Sequence, residues 1–168
     1  MVKADAYGHG ICEVSDVLVK EGVDYLAVAY PGEGVHLREH GIKDTPIMVL
    51  FQSEPFKELV DYELTPVVHS FDTLKRLSDF AKSINRSISV HINIDTGMGR
   101  MGIPYEKVIH DPHQLIGSVH NIQIEGVMSH FSDADSPDTE FTMIQLERFK
   151  EVVDILRKSG LNFISHIA

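Results

Sequence analysis

Tryptophan is absent from the 168 residues, and cysteine occurs once, at Cys12. One cysteine excludes an internal disulfide and fits a reducing compartment. Cys12 reads as a small helix residue, not a nucleophile. Basic residues are few: 15 Lys and Arg stand against 25 Asp and Glu, for a net charge of −10. An acidic chain without a basic stripe is not expected to bind nucleic acid or an anionic membrane. No apolar run approaches the ~18 residues of a membrane-spanning helix, and no charged-apolar-small leader opens the chain, so the cytoplasm is the expected compartment. The histidines show no metal-ligand spacing. The acidic stretch Asp133-Ala134-Asp135-Ser136-Pro137-Asp138 lacks the glycine that a calcium loop needs at its sixth position, so it reads as a solvated loop and no metal is expected. What remains, 43% apolar and 24% charged residues, suits one globular domain with a sizeable core.

The richest stretch opens the chain: Met1-Val2-Lys3-Ala4-Asp5-Ala6-Tyr7-Gly8-His9-Gly10. A lysine closes a short apolar run. A charge at the end of a buried strand is costly unless it is used or its pKa is lowered. Lysines so placed can capture an aldehyde covalently, and the aldehyde cofactor that they capture is pyridoxal phosphate. Gly8 and Gly10 let the backbone turn tightly, and Tyr7 brings a hydroxyl close to the lysine. The rival reading is a surface lysine ahead of a loop.

Strand-like and helix-like stretches alternate. Strands are expected near 1–4, 24–29, 46–51, 65–68, 88–95, 122–130 and 162–167. Several are continuous apolar runs, such as Ile47-Met48-Val49-Leu50-Phe51, which fit strands buried on both faces of a parallel sheet. Helical spacing covers 11–21, with Val14, Leu18 and Val19 on one side and Gly22 as C-terminal cap. A second helix, 33–40, ends at Gly41. Ser70 is placed to cap a helix over 71–83 with Phe71, Leu74, Leu77, Phe80 and Ala81 inward. The last helix, 138–158, carries Phe141, Ile144, Phe149, Val152, Val153 and Leu156, and Gly160 closes it. This alternation predicts a parallel α/β fold. Periodicity does not choose between a barrel and a doubly wound sheet.

Three motifs overlap in 88–102. Gly97-x-Gly99-x-x-Gly102 after a strand matches the dinucleotide fingerprint, with Glu125 as a possible ribose acid. That fingerprint needs a helix opening on its third glycine, whereas Ile103-Pro104 intervenes and helix is expected from about Pro104. Asp95-Thr96-Gly97 matches an aspartic-protease triplet, but that chemistry needs two carboxylates sharing a proton, and no second triplet exists.

Val2-Lys3-Ala4-x-Ala6-Tyr7-Gly8-His9-Gly10 resembles the pyridoxal-phosphate lysine signature of the alanine racemases. Other segments similar to that family follow in order: Tyr25-Leu26-Ala27-Val28-Ala29, Glu33-Gly34-x-x-Leu37-Arg38, Pro46-Ile47-Met48-Val49-Leu50, His91-Ile92-x-Ile94-Asp95-Thr96-Gly97-Met98-Gly99-Arg100-Met101-Gly102, and Ser129-His130-Phe131. The resemblance implies a TIM-type (β/α)8 barrel, with Lys3, Arg100, His130 and His166 at or just after strand ends that converge on one mouth. A full barrel takes ~250 residues. Residues 1–168 are therefore expected to be a partial pyridoxal-phosphate-binding barrel domain with about seven of eight strands. The family's C-terminal β domain is not expected within these residues, and a piece without it is expected to be weakly active or inactive.

By the same resemblance, pyridoxal 5'-phosphate is the cofactor, bound by Lys3, Tyr7, Arg100, His130 and His166. Lys3 and Arg100 carry the catalytic roles. Arg100 faces the phenolic oxygen of the cofactor and helps hold the partner subunit's tyrosine, and Met98 brings backbone near the substrate. His130 lies on the pyridine ring, and His166 buttresses an arginine that faces the pyridine nitrogen. Many relatives carry a carbamylated lysine two residues before the motif's aspartate. This chain has Asn93, which can hydrogen-bond Arg100 or leave room for an anion, so serine stands beside alanine as a substrate. Racemisation needs two acid–base groups: Lys3, and a tyrosine from the partner subunit of a homodimer. The implied role is D-alanine supply for bacterial peptidoglycan. The alternative is a non-catalytic pyridoxal-phosphate barrel of cofactor homeostasis, and a third reading is an NAD-dependent oxidoreductase.

Overall fold

The computed structural model describes residues 1–52, 54–117 and 120–168. They form two compact units, Met1–Val67 and Val68–Ala168.

In the first unit the elements run α1 (Lys3–Gly8), α2 (Ile11–Lys20), β1 (Leu26–Val28), α3 (Pro31–His40), β2 (Ile47–Val49), α4 (Lys57–Asp61) and β3 (Leu64–Val68), whose last residue passes into the second unit. The three strands are parallel, with Leu26 opposite Ile47 and Ile47 opposite Leu64. All three are buried along their whole length, as continuous apolar runs require. The strand expected at 1–4 is not there. Val2, fully buried, donates its N–H to Ala27 O at 2.8 Å. The chain then winds left-handed through Ala4, Asp5, Ala6 and Tyr7, with φ between 51° and 57°.

The segment Glu33-Gly34-x-x-Leu37-Arg38 acts as a structural bolt. Glu33 caps its own helix and reaches the N–H of Ala29 at 2.6 Å and of Tyr30 at 3.3 Å. A Cβ on Gly34 would lie 2.9 Å from the Leu64 side chain, so the glycine lets α3 approach β3 without displacing that leucine. Arg38 donates to the carbonyls of Ile42, Lys43, Thr45, Tyr62 and Glu63. Gly41, at φ 120°, ends the helix where expected.

The second unit contains α5 (Phe71–Ser83), β4 (Ile88–Asp95), β5 (Ile103–Pro104), α6 (Tyr105–His110), α7 (His113–Ile116), β6 (Ile122–Ser129), α8 (Glu140–Lys158) and β7 (Ile164–Ile167). Strand β4 pairs with β5 and β6, and β6 pairs with β7, all parallel. The Ser70 cap forms as expected, its side chain accepting the Thr73 N–H at 3.1 Å. Leu74, Leu77, Ser78 and Ala81 are the buried face of α5, while Phe71 and Phe80 are half-buried. In α8, Phe149, Val152, Val153 and Leu156 are buried as expected, but Phe141 and Ile144 are exposed and the buried residue beside Ile144 is Gln145. In α2 the buried residues are Ile11 and Ser15, with Val14, Leu18 and Val19 half-buried. No helix among the described residues is long and apolar enough to cross a membrane.

Candidate functional site

Lys3 and Tyr7 belong to the first unit and share one turn. Left-handed backbone is costly for residues with a Cβ, and here four occur in a row. Hydrogen bonds hold them. The Ala4 N–H reaches Glu33 Oε1 at 2.7 Å, the Ile11 N–H reaches Asp5 Oδ1 at 2.8 Å, and the Gly10 N–H reaches Asp5 O at 3.0 Å. Glu33 thus ties the lysine turn to the end of β1 through both of its oxygens. The turn leaves Lys3 half-buried and Tyr7 63% exposed. An amine and a phenol on one braced turn are the donor types that an aldehyde and a phosphate need, so the residues fit the cofactor that the sequence implies. Neither Glu33 nor Asp5 was singled out as a holder of this turn from sequence. The spacing that reveals them is a carboxylate at the third position of α3 and another inside the lysine signature.

The thiol of Cys12 stands above its ordinary pKa range, through desolvation first and then the charges of Glu13, Asp16 and Asp5. That disfavours the thiolate a nucleophile requires.

Met98, Arg100, His130 and His166 belong to the second unit. The loop after β4 carries the first two. Asp95 Oδ1 accepts the N–H of Gly97 at 2.9 Å and of Gly99 at 3.1 Å, so the aspartate shapes the loop. Gly97, Gly99 and Gly102 all have positive φ. A Cβ on Gly102 would lie 2.7 Å from the Asp95 nitrogen. The third glycine leads into β5 and only then into α6, which disposes of the dinucleotide fingerprint. Helix starts at Tyr105 with Pro104 as its cap, close to the expected start. Arg100 is exposed and Met98 half-buried. Asn93, nearly fully buried, donates Nδ2 to Met101 O at 3.1 Å and lies 3.0 Å from His69 Nδ1. Its amide therefore braces the backbone beside Arg100 instead of meeting the guanidinium.

His130 follows β6 directly and is exposed. His166 lies within β7, and its Nε2 is 2.9 Å from Nδ1 of the fully buried His91. A register shift between Val90 and His91 sets His91 opposite Gly126 of β6. The His91 ring occupies the place where a Cβ on Gly126 would be. Burial, and then the neighbouring His166, push the His91 pKa down to about 4. Burial lowers His166 as well. Both rings are thus held neutral at pH 7, and one N–H serves the contact between them.

The family model for the N-terminal domain of alanine racemase matches residues 1–168. The chain belongs to the alanine racemase N-terminal domain family. Its fold is the parallel α/β barrel class of that domain, with the barrel incomplete in this chain. The alanine racemase of Syntrophobacter fumaroxidans is 42% identical over 170 residues, covering 100% of this chain and 45% of that protein. A solved alanine racemase from Clostridium difficile 630 superposes with a TM-score of 0.92 at 37% identity, over 99% of this chain and 47% of that one. An alanine racemase from Bartonella henselae with covalently bound pyridoxal phosphate shares the fold, at TM-score 0.82 and 22% identity, over 99% of this chain and 48% of that one. The chain thus spans a little under half the length of these relatives. The relatives that share this chain's sequence are alanine racemases by name.

Proposed function

We propose that this chain is the cofactor-binding barrel portion of an alanine racemase that interconverts L- and D-alanine, with serine as a second substrate. The reading adds that it works in the cytoplasm as part of a homodimer and supplies D-alanine for peptidoglycan. The observation that carries it is the lysine turn: the family's Lys-x-x-x-Tyr pair lies on a backbone bent left-handed and bolted by Glu33.

Pyridoxal 5'-phosphate, when bound, supplies an electron sink that makes the proton on the substrate's Cα removable. The rest falls to side chains. Lys3 would hold the cofactor at its aldehyde carbon, and its Nζ would serve as the acid–base group for the Cα proton on one face. Tyr7 would offer its hydroxyl to the phosphate. Arg100 would set a positive charge near the phenolic oxygen, where it would stabilise negative charge. His130 would offer its ring to the pyridine, and His166 is held by His91 Nδ1 at 2.9 Å. The loop of Met98 borders the substrate. Proton exchange on the opposite face is assigned to a tyrosine of the partner subunit's β domain, as the family resemblance implies.

The test is Cα proton exchange in deuterated water, followed by NMR, with the natural gene product loaded with the cofactor. Wash-out of the Cα proton of L-alanine with growth of D-alanine supports the reading. Cofactor bound at Lys3 without exchange overturns it in favour of a binding protein.

A further inference from the structure

Gln145 is a fully buried polar residue in the middle of α8. A core amide is costly unless it is satisfied. An amide can donate twice and accept twice, and all four capacities are used here. Nε2 donates to His130 O at 3.1 Å and to Thr96 Oγ1 at 3.3 Å. Oε1 accepts the Ser132 N–H at 2.9 Å and the Ser132 hydroxyl at 3.0 Å. One side chain thus joins the loop after β4 to the loop after β6.

The hydroxyls beyond it have a definite direction. Ser129 Oγ donates to Ile94 O at 2.8 Å, so the 2.8 Å contact between Thr96 and Ser129 must run from Thr96 to Ser129. Thr96 then has only an acceptor to offer, and the amide of Gln145 fills it. Helical spacing places Phe141 and Arg148 on the same face as Gln145. Arg148 Nη1 donates to Thr96 O at 2.8 Å, with its guanidinium 4.8 Å from the Tyr105 ring centre. A Cβ on Gly97 would lie 2.8 Å from the Phe141 ring. Beyond Thr96 the loop is hydrogen-bonded to Asp95 at Gly97 and Gly99 and to Asn93 at Met101.

We propose that Gln145 is a positioning residue: its buried amide sets the loop bearing Met98 and Arg100 against the segment bearing His130. This rests on the proposed function, in which Arg100 and His130 serve the same cofactor. A leucine would fill the same core position but would leave Ser132, His130 and Thr96 without this partner. Misplacing reacting groups by ~1 Å can cost on the order of 10²-fold in rate.

The experiment uses the natural gene product, loaded with pyridoxal phosphate, as wild type, Gln145→Leu, Thr96→Val and Ser78→Ala. Ser78 is the control, since its hydroxyl donates to His120 O at 2.7 Å and meets neither loop. For Q145L, kcat for alanine should fall about ten-fold or more while KM stays within about three-fold. Amide hydrogen exchange should rise together in 96–102 and 130–134, and S78A should lower Tm without either effect. If Q145L does not fold, T96V, nearly isosteric, cuts the same chain and must give the same pattern. A folded Q145L or T96V with unchanged kcat, or with faster exchange in one loop alone, overturns the proposal. A wild type that exchanges no Cα proton overturns the proposed function instead, and the exchange readout still decides whether Gln145 couples the loops.

Discussion

Replacing Glu33 by glutamine changes one atom and tests how the lysine turn is held. Four consecutive residues, Ala4 to Tyr7, adopt left-handed backbone. At ~1–2 kcal/mol each, that conformation costs about 4–8 kcal/mol. Glu33 offsets part of it with three N–H groups shared between its two oxygens: Ala4 on Oε1, Ala29 and Tyr30 on Oε2. An amide has one oxygen. If it keeps Ala29 and Tyr30, its NH2 faces the Ala4 N–H, donor against donor. The substitution thus removes one charge-assisted bond, worth ~1.5–3 kcal/mol, and weakens two others. Glu33 is half-buried, so the low end applies, and about 2 kcal/mol should be lost. For a domain of this size that is a Tm drop of about 4–8 °C. Differential scanning calorimetry on cofactor-free protein reads it directly, and amide exchange should rise first across 4–11. A Tm within about 1 °C of wild type, with the turn still protected, would show that Glu33 does not hold the lysine in place.

Three further outcomes follow from the same geometry. Gly126→Ala drives a methyl into the His91 ring, so urea unfolding should show a loss of about 3 kcal/mol, at the upper end for overpacking. Arg38→Lys exchanges a fork that reaches five carbonyls for an ammonium with three donors, and about 2 kcal/mol should go, read as a lower urea midpoint at unchanged m. The larger part of the pH dependence in the pair of His91 and His166 comes from His91, whose pKa drops from 6.5 to about 4 on folding, while His166 shifts in the same direction. The unfolded chain takes up the proton first, so stability should fall as pH drops from about 6.5 to about 4, by roughly 3 kcal/mol in total. His91→Asn should flatten that slope, and an unchanged slope would sink the assignment.

Long apolar runs and capping signals were legible in the sequence because each is a local property. Strand β4 and helix α5 lie over the residues that the pattern marks, down to the Ser70 cap. The opening has the pattern of a strand but is a left-handed turn. Left-handed winding through alanine, aspartate and tyrosine is not marked by hydrophobic periodicity; besides the local bonds to Asp5 it is held by Glu33, 29 residues from Ala4. In the first half of α8 the pattern turns Phe141 and Ile144 inward, whereas the residue buried there is Gln145. A polar core position is invisible to hydrophobic periodicity, because partners from two distant loops make its burial possible. Likewise, β5 is two residues long and too short to leave a pattern. The candidate site residues were legible through family likeness, whereas their supports, Asp5, Glu33, His91 and Gln145, emerged only in three dimensions.

The most direct measurement is borohydride reduction of the natural gene product in the presence of pyridoxal phosphate, followed by peptide mapping. The account predicts a single stoichiometric pyridoxyl label on Lys3, lost in Lys3→Arg while the fold persists. A label on another lysine, or none on well-folded protein, would contradict it.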